Sequence, residues 1–257
     1  MTNKNKPKSE STIYAFIKAV EKPYFESFIN DGEICMNTAK WFREYEQDEN
    51  IGDSGEGAFA ACGTDFTVRF ADPITGSTKE EIDEKLKNAN WPAPLKGESL
   101  KMFNERNANI LSLYAITLDE TEKEKEKETH THFVPQKFVE EFSNHRFVLI
   151  TNPKKFTTSV AERLLSLGKR PMGSIVSYYP HDSSWRQNLT FFDKLDKYSY
   201  QNEYRILSKD KNSELLIFKI GSILDYSLEI DLYQNCYVGN FGELELTIRM
   251  ENTILQE

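Results

Sequence analysis

The chain has 257 residues, of which 39% are hydrophobic and 28% are charged, values typical of a soluble globular protein long enough to bury a sizeable core. Its formal net charge of −9 disfavours binding that depends on nucleic-acid phosphates or on anionic lipid. No stretch approaches the roughly 20 apolar residues of a membrane span, so we expect no membrane association.

The N-terminal sequence and the spacing of the cysteines both indicate a cytoplasmic location. Residues 1–11 are polar and lack the apolar core of a secretory signal, and we expect them to form a disordered tail. The three cysteines are an odd number at wide spacing (Cys35, Cys62 and Cys236), which argues against a disulfide framework and against a zinc site. We therefore expect a cytoplasmic protein that holds no metal.

Alternating apolar residues, together with capping and turn residues, predict four elements at the start of the chain. They are a strand at Thr12–Ala19, a helix after Pro23 that ends at Asp31–Gly32, a strand at Glu33–Asn37 and a helix at Ala39–Glu46 capped by Thr38. The first strand carries Tyr14 and Lys18 on one face.

A polar segment follows the second helix. Residues 48–57 contain three glycines and four acidic residues, a composition typical of a solvated turn. The alternative is an anionic loop beside an active cleft. In that case Asp53 and Glu56, next to Gly57, would bind a substrate hydroxyl, a cation or Lys18.

The longest apolar run, Asn109–Thr117, predicts a central strand that is covered on both faces. The charge-rich residues 119–132 follow it and predict a mobile surface loop, within a single domain that spans residues 12–257. His130 and His132 lie in that loop at a spacing that would chelate a metal on a strand, but no third ligand is close in sequence.

The segment from Tyr198 to Leu207 reads as one strand. In an extended chain that starts at Tyr198, side chains alternate between two faces, so Gln201, Glu203 and Arg205 share one face. A carboxylate beside an amide and a guanidinium would grip a ribose and a phosphate. The alternative is an exposed strand face with a cross-strand ion pair.

The predicted strands and short helices follow one another without a regular β–α–β alternation. This order favours an α+β fold with mixed or antiparallel sheets. The chain contains no Gly-x-x-x-x-Gly-Lys-Ser/Thr motif and no Gly-x-Gly-x-x-Gly motif, which disfavours ordinary P-loop and Rossmann nucleotide sites.

Several motifs carry a resemblance to a known group. Gln201-Asn-Glu203 matches the Gln/Glu-x-Glu signature of ADP-ribosyltransferases. With Gly32–Asn37, Phe42–Glu46 and Asp53–Gly57, it resembles an uncharacterised bacterial and phage family related to that fold. The resemblance covers roughly residues 12–60 and 190–210. It implies an ADP-ribosyltransferase-like fold, in which mixed or antiparallel sheets surround a central cleft with helices at the periphery.

The resemblance also implies a reaction. The protein would transfer ADP-ribose from NAD, its co-substrate, to a protein or nucleic-acid target, as a toxin, in defence or in phage counter-defence. Glu203 would stabilise the oxocarbenium-like ribosyl cation and hydrogen-bond the 2-hydroxyl. Gln201 would orient the acceptor, and Arg205 would fix the strand or contact a phosphate.

The cofactor site implied by the resemblance includes Asn37 and an aromatic ring, Tyr14 or Phe42, stacked on nicotinamide. Transferases commonly place an arginine or a histidine in the first strand to grip the dinucleotide, whereas here Lys18 is the only cation of that strand. Arg43 would face the diphosphate, and Arg43 or Arg69 would substitute for the missing residue. Otherwise the NAD site would be degraded, and the protein would bind its ligand without catalysing a reaction.

Phe156-Thr-Thr-Ser159 has two interpretations. It resembles the Ser-Thr-Ser element that orders the nicotinamide pocket in one branch of transferases, or it caps a helix predicted at Val160–Leu167.

A second function of a different class also fits the sequence. The chain would then be a non-catalytic acidic binding protein, such as a phage or bacterial inhibitor that occupies a partner or sequesters a nucleotide. Its negative charge favours a basic partner protein over nucleic acid. Both functions predict a macromolecular partner.

Overall fold

A computed structural model describes residues 12–45, 56–62, 66–68, 78, 80, 81, 84, 95–97, 100–103, 107–118, 129–182, 185–209, 214–232, 236–241 and 244–250. The strands within these residues are β1 Thr12–Glu21, β2 Glu33–Thr38, β3 Ala60–Cys62, β4 Phe66–Val68, β5 Leu95–Gly97, β6 Leu100–Met102, β7 Ala108–Leu118, β8 Thr129–Val134, β9 His145–Ile150, β10 Pro171–Ile175, β11 Ser177–Tyr179, β12 Arg186–Gln187, β13 Asp193–Leu195, β14 Glu203–Lys209, β15 Leu216–Lys219, β16 Ser227–Ile230, β17 Cys236–Phe241 and β18 Leu244–Met250. The helices are α1 Phe25–Asp31, α2 Ala39–Glu44, α3 Gln136–Glu141 and α4 Pro153–Ser166.

Local signals near the N-terminus produce the predicted end of α1 and the predicted start of α2. Helix α1 ends at Gly32, which adopts a left-handed φ of 60° and donates its N–H to the carbonyl of Ser27. Glycine takes this conformation without the clash that a Cβ atom brings. Helix α2 begins where the Thr38 side chain accepts a hydrogen bond from the N–H of Trp41, so the predicted cap is confirmed.

The main sheet has eight strands in the part of the chain that the structure describes. Six follow the order β10-β14-β7-β1-β9-β16, and β2 joins β7 and pairs with β15. The pairs within this sheet are antiparallel, whereas β11–β13 and β8–β18 are parallel. The predicted α+β class with mixed or antiparallel sheets is confirmed.

One edge of β7 is shared between two strands. Its residues Tyr114 to Leu118 pair with β1, and its residues Asn109 and Ile110 pair with β2. Leu111 to Leu113 lie between these two ladders, while β14 pairs along the other edge from Ala108 to Tyr114. The sheet therefore splits on one side of β7, and the candidate site lies at this split.

The two faces of the main sheet support separate cores. On one face, α1 and α4 pack their apolar residues (Phe25, Phe28, Phe156, Val160 and Leu164) against Phe16, Leu111 and Leu113. On the other face, Phe138 and Val139 of α3 pack against Ile17, Tyr114 and Ile116. A smaller cluster of Ala39, Ala108, Ile110, Phe191 and Leu207 lies near α2. Burial of this apolar surface is the main force that holds the strands together.

The strand predicted from Tyr198 begins later than expected. Residues Asp196–Gln201 form a 3-10 turn, and Asn202 adopts a left-handed φ of 37° before β14 starts at Glu203. Asparagine is one of the few residues that tolerate this conformation. The predicted alternation therefore holds only from Glu203 onward, and Gln201 belongs to the turn.

Two further expectations were wrong. The loop predicted at 119–132 extends too far, because residues 129–132 belong to β8, which pairs in parallel with β18 near the C-terminus; residues 119–128 lie outside the described residues. The triplet Thr157–Ser159 neither caps a helix nor forms a separate element. Helix α4 begins at Pro153 and is capped by Asn152, because proline suits the first helical position.

The expected disordered tail, residues 1–11, lies outside the described residues. Among the helices that the structure describes, none combines the length and the apolar character needed to cross a membrane.

Candidate active site

A cavity of about 510 Å³ opens where β1 and β2 separate along β7, a volume within the usual range of small-molecule sites. The residues that line it with polar side chains include Lys18, Asn37, Glu56, Ser112, Lys194, Gln201, Glu203 and Arg205. The aromatic residues that line it include Trp41, Phe42, Tyr45, Tyr114, Phe138 and Phe142.

Glu203 is the central carboxylate of this cavity and is only 5% exposed. Its Oε1 accepts a hydrogen bond from Lys194 Nζ at 2.6 Å, and its Oε2 accepts from Arg205 Nε at 2.7 Å and from Ser112 Oγ at 3.1 Å. Burial alone would raise the pKa of Glu203, but the charges of Arg205 and Lys194 outweigh it and hold the pKa below its ordinary value. Glu203 is therefore ionised at neutral pH and fixed in orientation.

Arg205 connects Glu203 to the segment after α2. Its Nη1 and Nη2 donate to the two carboxylate oxygens of Glu56 at 2.9 and 2.8 Å, and Nη1 also donates to the carbonyl of Phe191 at 2.6 Å. This two-point contact is the geometry in which guanidinium binds carboxylate most strongly. Glu56 is thus buried beside the cavity instead of lying in a solvated turn.

Lys194, in β13, is a site residue that the sequence did not predict. Its buried Nζ donates to Gln201 Oε1 at 2.7 Å as well as to Glu203, and it lies 4.5 Å from the centre of the Tyr198 ring. Its only local signal is a lysine close to the apolar residues Phe191, Phe192 and Leu195.

Gln201 is placed next to Glu203 by Lys194 and by α3. Its Nε2 donates to Glu141 Oε1 at 2.8 Å, and its Oε1 accepts from Lys194. Both ends of the amide therefore make hydrogen bonds inside the protein. This arrangement ties the start of β14 to α3 and fixes the position of Lys194.

Lys18 lies at the split in the sheet. Its Nζ donates to the carbonyl oxygen of Ser112 at 3.2 Å. Among the described residues no carboxylate lies within 4 Å of it, whereas Lys194 and Arg205 both form ion pairs. Burial lowers the pKa of Lys18, and nearby Cys35 and Glu203 oppose that shift.

The other predicted residues divide into four groups. Asn37 and Phe42 line the cavity. Arg43 contacts protein groups instead of facing the cavity: its Nη1 donates to the carbonyl of Glu56 at 2.8 Å, and its guanidinium lies 5.0 Å above the Phe103 ring. Tyr14 and Gly57 are not among the lining residues. Asp53 and Arg69 lie outside the described residues.

Three more residues lie next to Glu203 and were not predicted from the sequence. Ser112 donates to its carboxylate, and the hydroxyl of Tyr178 accepts a hydrogen bond from its backbone N–H at 2.9 Å. Tyr114 lies opposite it in the strand ladder, and its hydroxyl lies 2.9 Å from His132 Nε2. Burial lowers the pKa of His132 to about 4, so this imidazole is neutral at neutral pH.

The arrangement is suited to stabilising positive charge next to a bound anion. The ionised Glu203 lines the same cavity as Lys18, whose Nζ has no carboxylate within 4 Å among the described residues, and the low polarity of a buried cavity strengthens electrostatic contacts with a ligand. Within the described ranges, no group of three or more His, Cys, Asp or Glu side chains is arranged to hold a metal ion.

Comparisons of the chain with protein-family models, with curated proteins and with solved structures gave no match.

Proposed function

We propose that this protein is an ADP-ribosyltransferase-like enzyme that cleaves the bond between nicotinamide and ribose in NAD. The observation that carries the proposal is that Glu203, ionised and fixed by Lys194, Arg205 and Ser112, lines a cavity of about 510 Å³ together with Gln201. The split in the sheet supports an ADP-ribosyltransferase-like cleft.

The chemistry requires a fixed negative charge. When the glycosidic bond breaks, its electron pair leaves with the nicotinamide nitrogen, and positive charge develops on the ribose. A carboxylate that is already ionised and oriented stabilises this charge without reorganising. Glu203 meets that condition because the charges of Arg205 and Lys194 hold its pKa low. A nucleophile of the acceptor, or water, then captures the ribosyl group.

The remaining parts of NAD find suitable partners in the same cavity. Lys18 would contact the diphosphate, because a bound diphosphate favours the charged form of the amine and no carboxylate lies within 4 Å of its Nζ among the described residues. Phe42 and its aromatic neighbours line the cavity and would contact a base. The net charge of −9 favours a protein as the ADP-ribose acceptor over nucleic acid, in a toxin, defence or counter-defence role.

The experiment is a direct assay of NAD cleavage. The protein is incubated with NAD, with and without a cell extract as the source of acceptor, and free nicotinamide is measured. We expect release by the wild type and a loss of about a hundredfold or more in Glu203→Gln, the size of effect seen when one fixed electrostatic contact is removed. Glu229→Gln is the control, because Glu229 pairs with Arg146 on the surface.

A second candidate function is supported by a specific observation. Both carboxylate oxygens of Glu203 already accept hydrogen bonds from protein donors, as in a structural ion pair. The protein would then bind a nucleotide or a basic partner protein without reacting. Binding of NAD or ADP-ribose with no nicotinamide release in either condition would favour this function over the enzyme.

A further inference from the structure

Lys18 lies on a strand edge that has no strand partner within the described residues. Strand β1 pairs with β7 only as far as Ile17, which lies opposite Tyr114. Along its other edge, β1 pairs with β9 as far as Glu21. Lys18 is therefore the first residue after β1 leaves β7, and it lines the cavity at this point.

The Lys18 amine is held in place without an ion pair. Its Nζ donates to the carbonyl oxygen of Ser112 at 3.2 Å, in the segment of β7 that lies between the ladders with β1 and β2. In the described part of the chain, this Nζ has no carboxylate oxygen within ion-pair distance, whereas Lys194 Nζ lies 2.6 Å from Glu203 Oε1. A hydrogen bond to a carbonyl uses one N–H and leaves the lone pair of a neutral amine free.

The surroundings of Lys18 favour its neutral form. The apolar residues that flank Lys18 and Ser112 in sequence also line the cavity: Ile17, Ala19, Leu111 and Leu113. Burial lowers the pKa of Lys18, and the nearby Cys35, Glu203 and Glu21 oppose that shift without cancelling it. A larger fraction of this amine is therefore neutral at pH 7 than of a solvent-exposed lysine.

A neutral lysine amine that lines a cavity is a nucleophile for carbonyl compounds. The lone pair of Nζ attacks the carbonyl carbon and forms a carbon–nitrogen bond. Both protons of the amine pass to the carbonyl oxygen, which leaves as water, and a carbon–nitrogen double bond remains. The reaction is reversible and consumes no oxidant, reductant or second co-reactant.

We propose that Lys18 is a covalent capture site for small uncharged aldehydes, which it holds in the cavity as an imine. The volume of about 510 Å³ admits a ring and its substituents. Once Lys18 is an imine, the other two cations that line the cavity, Lys194 and Arg205, are paired with carboxylates. An anionic aldehyde has no free cation to bind among the described lining residues, so the site favours an uncharged one.

Capture of an aldehyde does not depend on the proposed function. The charged form of Lys18 suits a diphosphate, whereas its neutral form suits a carbonyl carbon. Both ligands use the same side chain, so an aldehyde held on Lys18 and a bound NAD should exclude each other.

The test is reductive trapping on the full chain at pH 7, with benzaldehyde as the probe and sodium cyanoborohydride as the reductant. Reduction converts each imine into a stable secondary amine, and peptide mass mapping identifies the modified lysines. We expect Lys18 to be modified about tenfold or more faster than the exposed Lys219, because the cavity holds the aldehyde beside the amine. Its rate should saturate with benzaldehyde. Lys194, which is buried but ion-paired, should stay unmodified.

A matched probe and a matched variant serve as controls. 4-Carboxybenzaldehyde has a similar ring but carries a negative charge, and it should modify Lys18 more slowly than benzaldehyde does. Lys18→Arg keeps a donor for the carbonyl of Ser112 but removes the nucleophile, so the saturable gain in mass of the intact protein should disappear.

The pH dependence tests the neutral amine. An exposed lysine becomes neutral only near its ordinary pKa of about 10.4. The ratio of the Lys18 rate to the Lys219 rate should therefore shrink as the pH rises from 7 towards 10. The titratable groups near Lys18 are Glu21 of β1, Cys35 of β2, His145 of β9 and Glu203 of β14.

The outcomes separate aldehyde capture from the proposed function. Equal trapping rates at Lys18 and Lys219 at pH 7, or a Lys18 rate that does not saturate with benzaldehyde, would overturn the capture site. Equal rates for benzaldehyde and 4-carboxybenzaldehyde at Lys18 would overturn the preference for uncharged aldehydes. Selective trapping at Lys18 without nicotinamide release from NAD would support the capture site and reject the enzyme, and release without selective trapping would do the reverse.

Discussion

Replacing Lys194 with methionine tests the buried charge network that holds Glu203. The two carboxylates Glu203 and Glu56 are balanced by the two cations Lys194 and Arg205, and all four side chains are buried. Methionine has a similar length but no charge. The variant therefore leaves two buried carboxylates facing one guanidinium.

The expected effect is large because the uncompensated charge is on a buried side chain. Removing one partner of a buried ion pair typically costs about 3–5 kcal/mol. For a chain of this size, 1 kcal/mol corresponds to roughly 2–4 °C in the unfolding midpoint. We therefore expect Lys194→Met to lower the midpoint by roughly 6–20 °C at pH 7, measured by differential scanning calorimetry.

The chain offers a matched control for this substitution. Lys219 Nζ lies 2.6 Å from a carboxylate oxygen of Asp31, the same distance as Lys194 from Glu203. Lys219 is exposed, so water and salt screen its ion pair, and Lys219→Met should leave the midpoint nearly unchanged. Equal midpoints for the two variants would refute the argument that burial makes the Lys194 contact important.

The effect of Lys194→Met should also depend on pH. The pKa of Glu203 is lowered in the folded protein. Its ionised form therefore stabilises the fold above the unfolded pKa of about 4.3, and this stabilisation is lost as the pH falls through the lower folded value. The difference between wild type and Lys194→Met should accordingly be largest near neutral pH and shrink below about pH 4. A difference in stability that does not change with pH would contradict the lowered pKa of Glu203.

Two further predictions concern stability. Gly57 has a φ of 73°, and a Cβ atom there would lie 2.6 Å from Phe191 Cε1, whereas Gly168 has a φ of 71° and an open surrounding. Gly57→Ala should therefore lower the unfolding midpoint more than Gly168→Ala, because the Gly168 variant bears only the left-handed strain of about 1–2 kcal/mol. An equal lowering of the midpoint in the two variants would contradict the close contact at Gly57. Burial lowers the pKa of His132 to about 4, so the unfolded chain takes up a proton first as the pH falls from 6.5 to 4, and the fold loses stability over that range. Denaturant titrations should show that His132→Gln loses less unfolding free energy over this pH range than the wild type. An equal loss in the two proteins would reject the effect of His132.

The sequence predicted those parts of the fold that depend on neighbouring residues. Gly32 ends α1, Thr38 caps α2, and the apolar run at 109–117 forms most of β7. Each follows from backbone preferences or from side-chain periodicity within a few residues. The alternation of Glu203 and Arg205 was predicted for the same reason, and it holds because β14 is regular from its first residue.

The features that the sequence did not predict depend on contacts between distant segments. Glu56 and Arg205 are 149 residues apart, so the composition of residues 48–57 indicated a solvated turn although Glu56 is buried. Lys194 became a site residue only because the turn after β13 brings Gln201 and Glu203 to it. The pairing of β8 with β18 also joins distant segments, and the local charge of residues 119–132 concealed it.

The most direct test of the central claim is the rate of nicotinamide release at saturating NAD, measured for wild type and Glu203→Gln alongside the Kd for NAD. Because Glu203 is assigned to the developing charge and not to binding, we predict that the rate falls by about a hundredfold or more while the Kd changes little. Equal rates for the two proteins, or no release by the wild type at saturation, would contradict the claim that this carboxylate acts on the glycosidic bond of NAD.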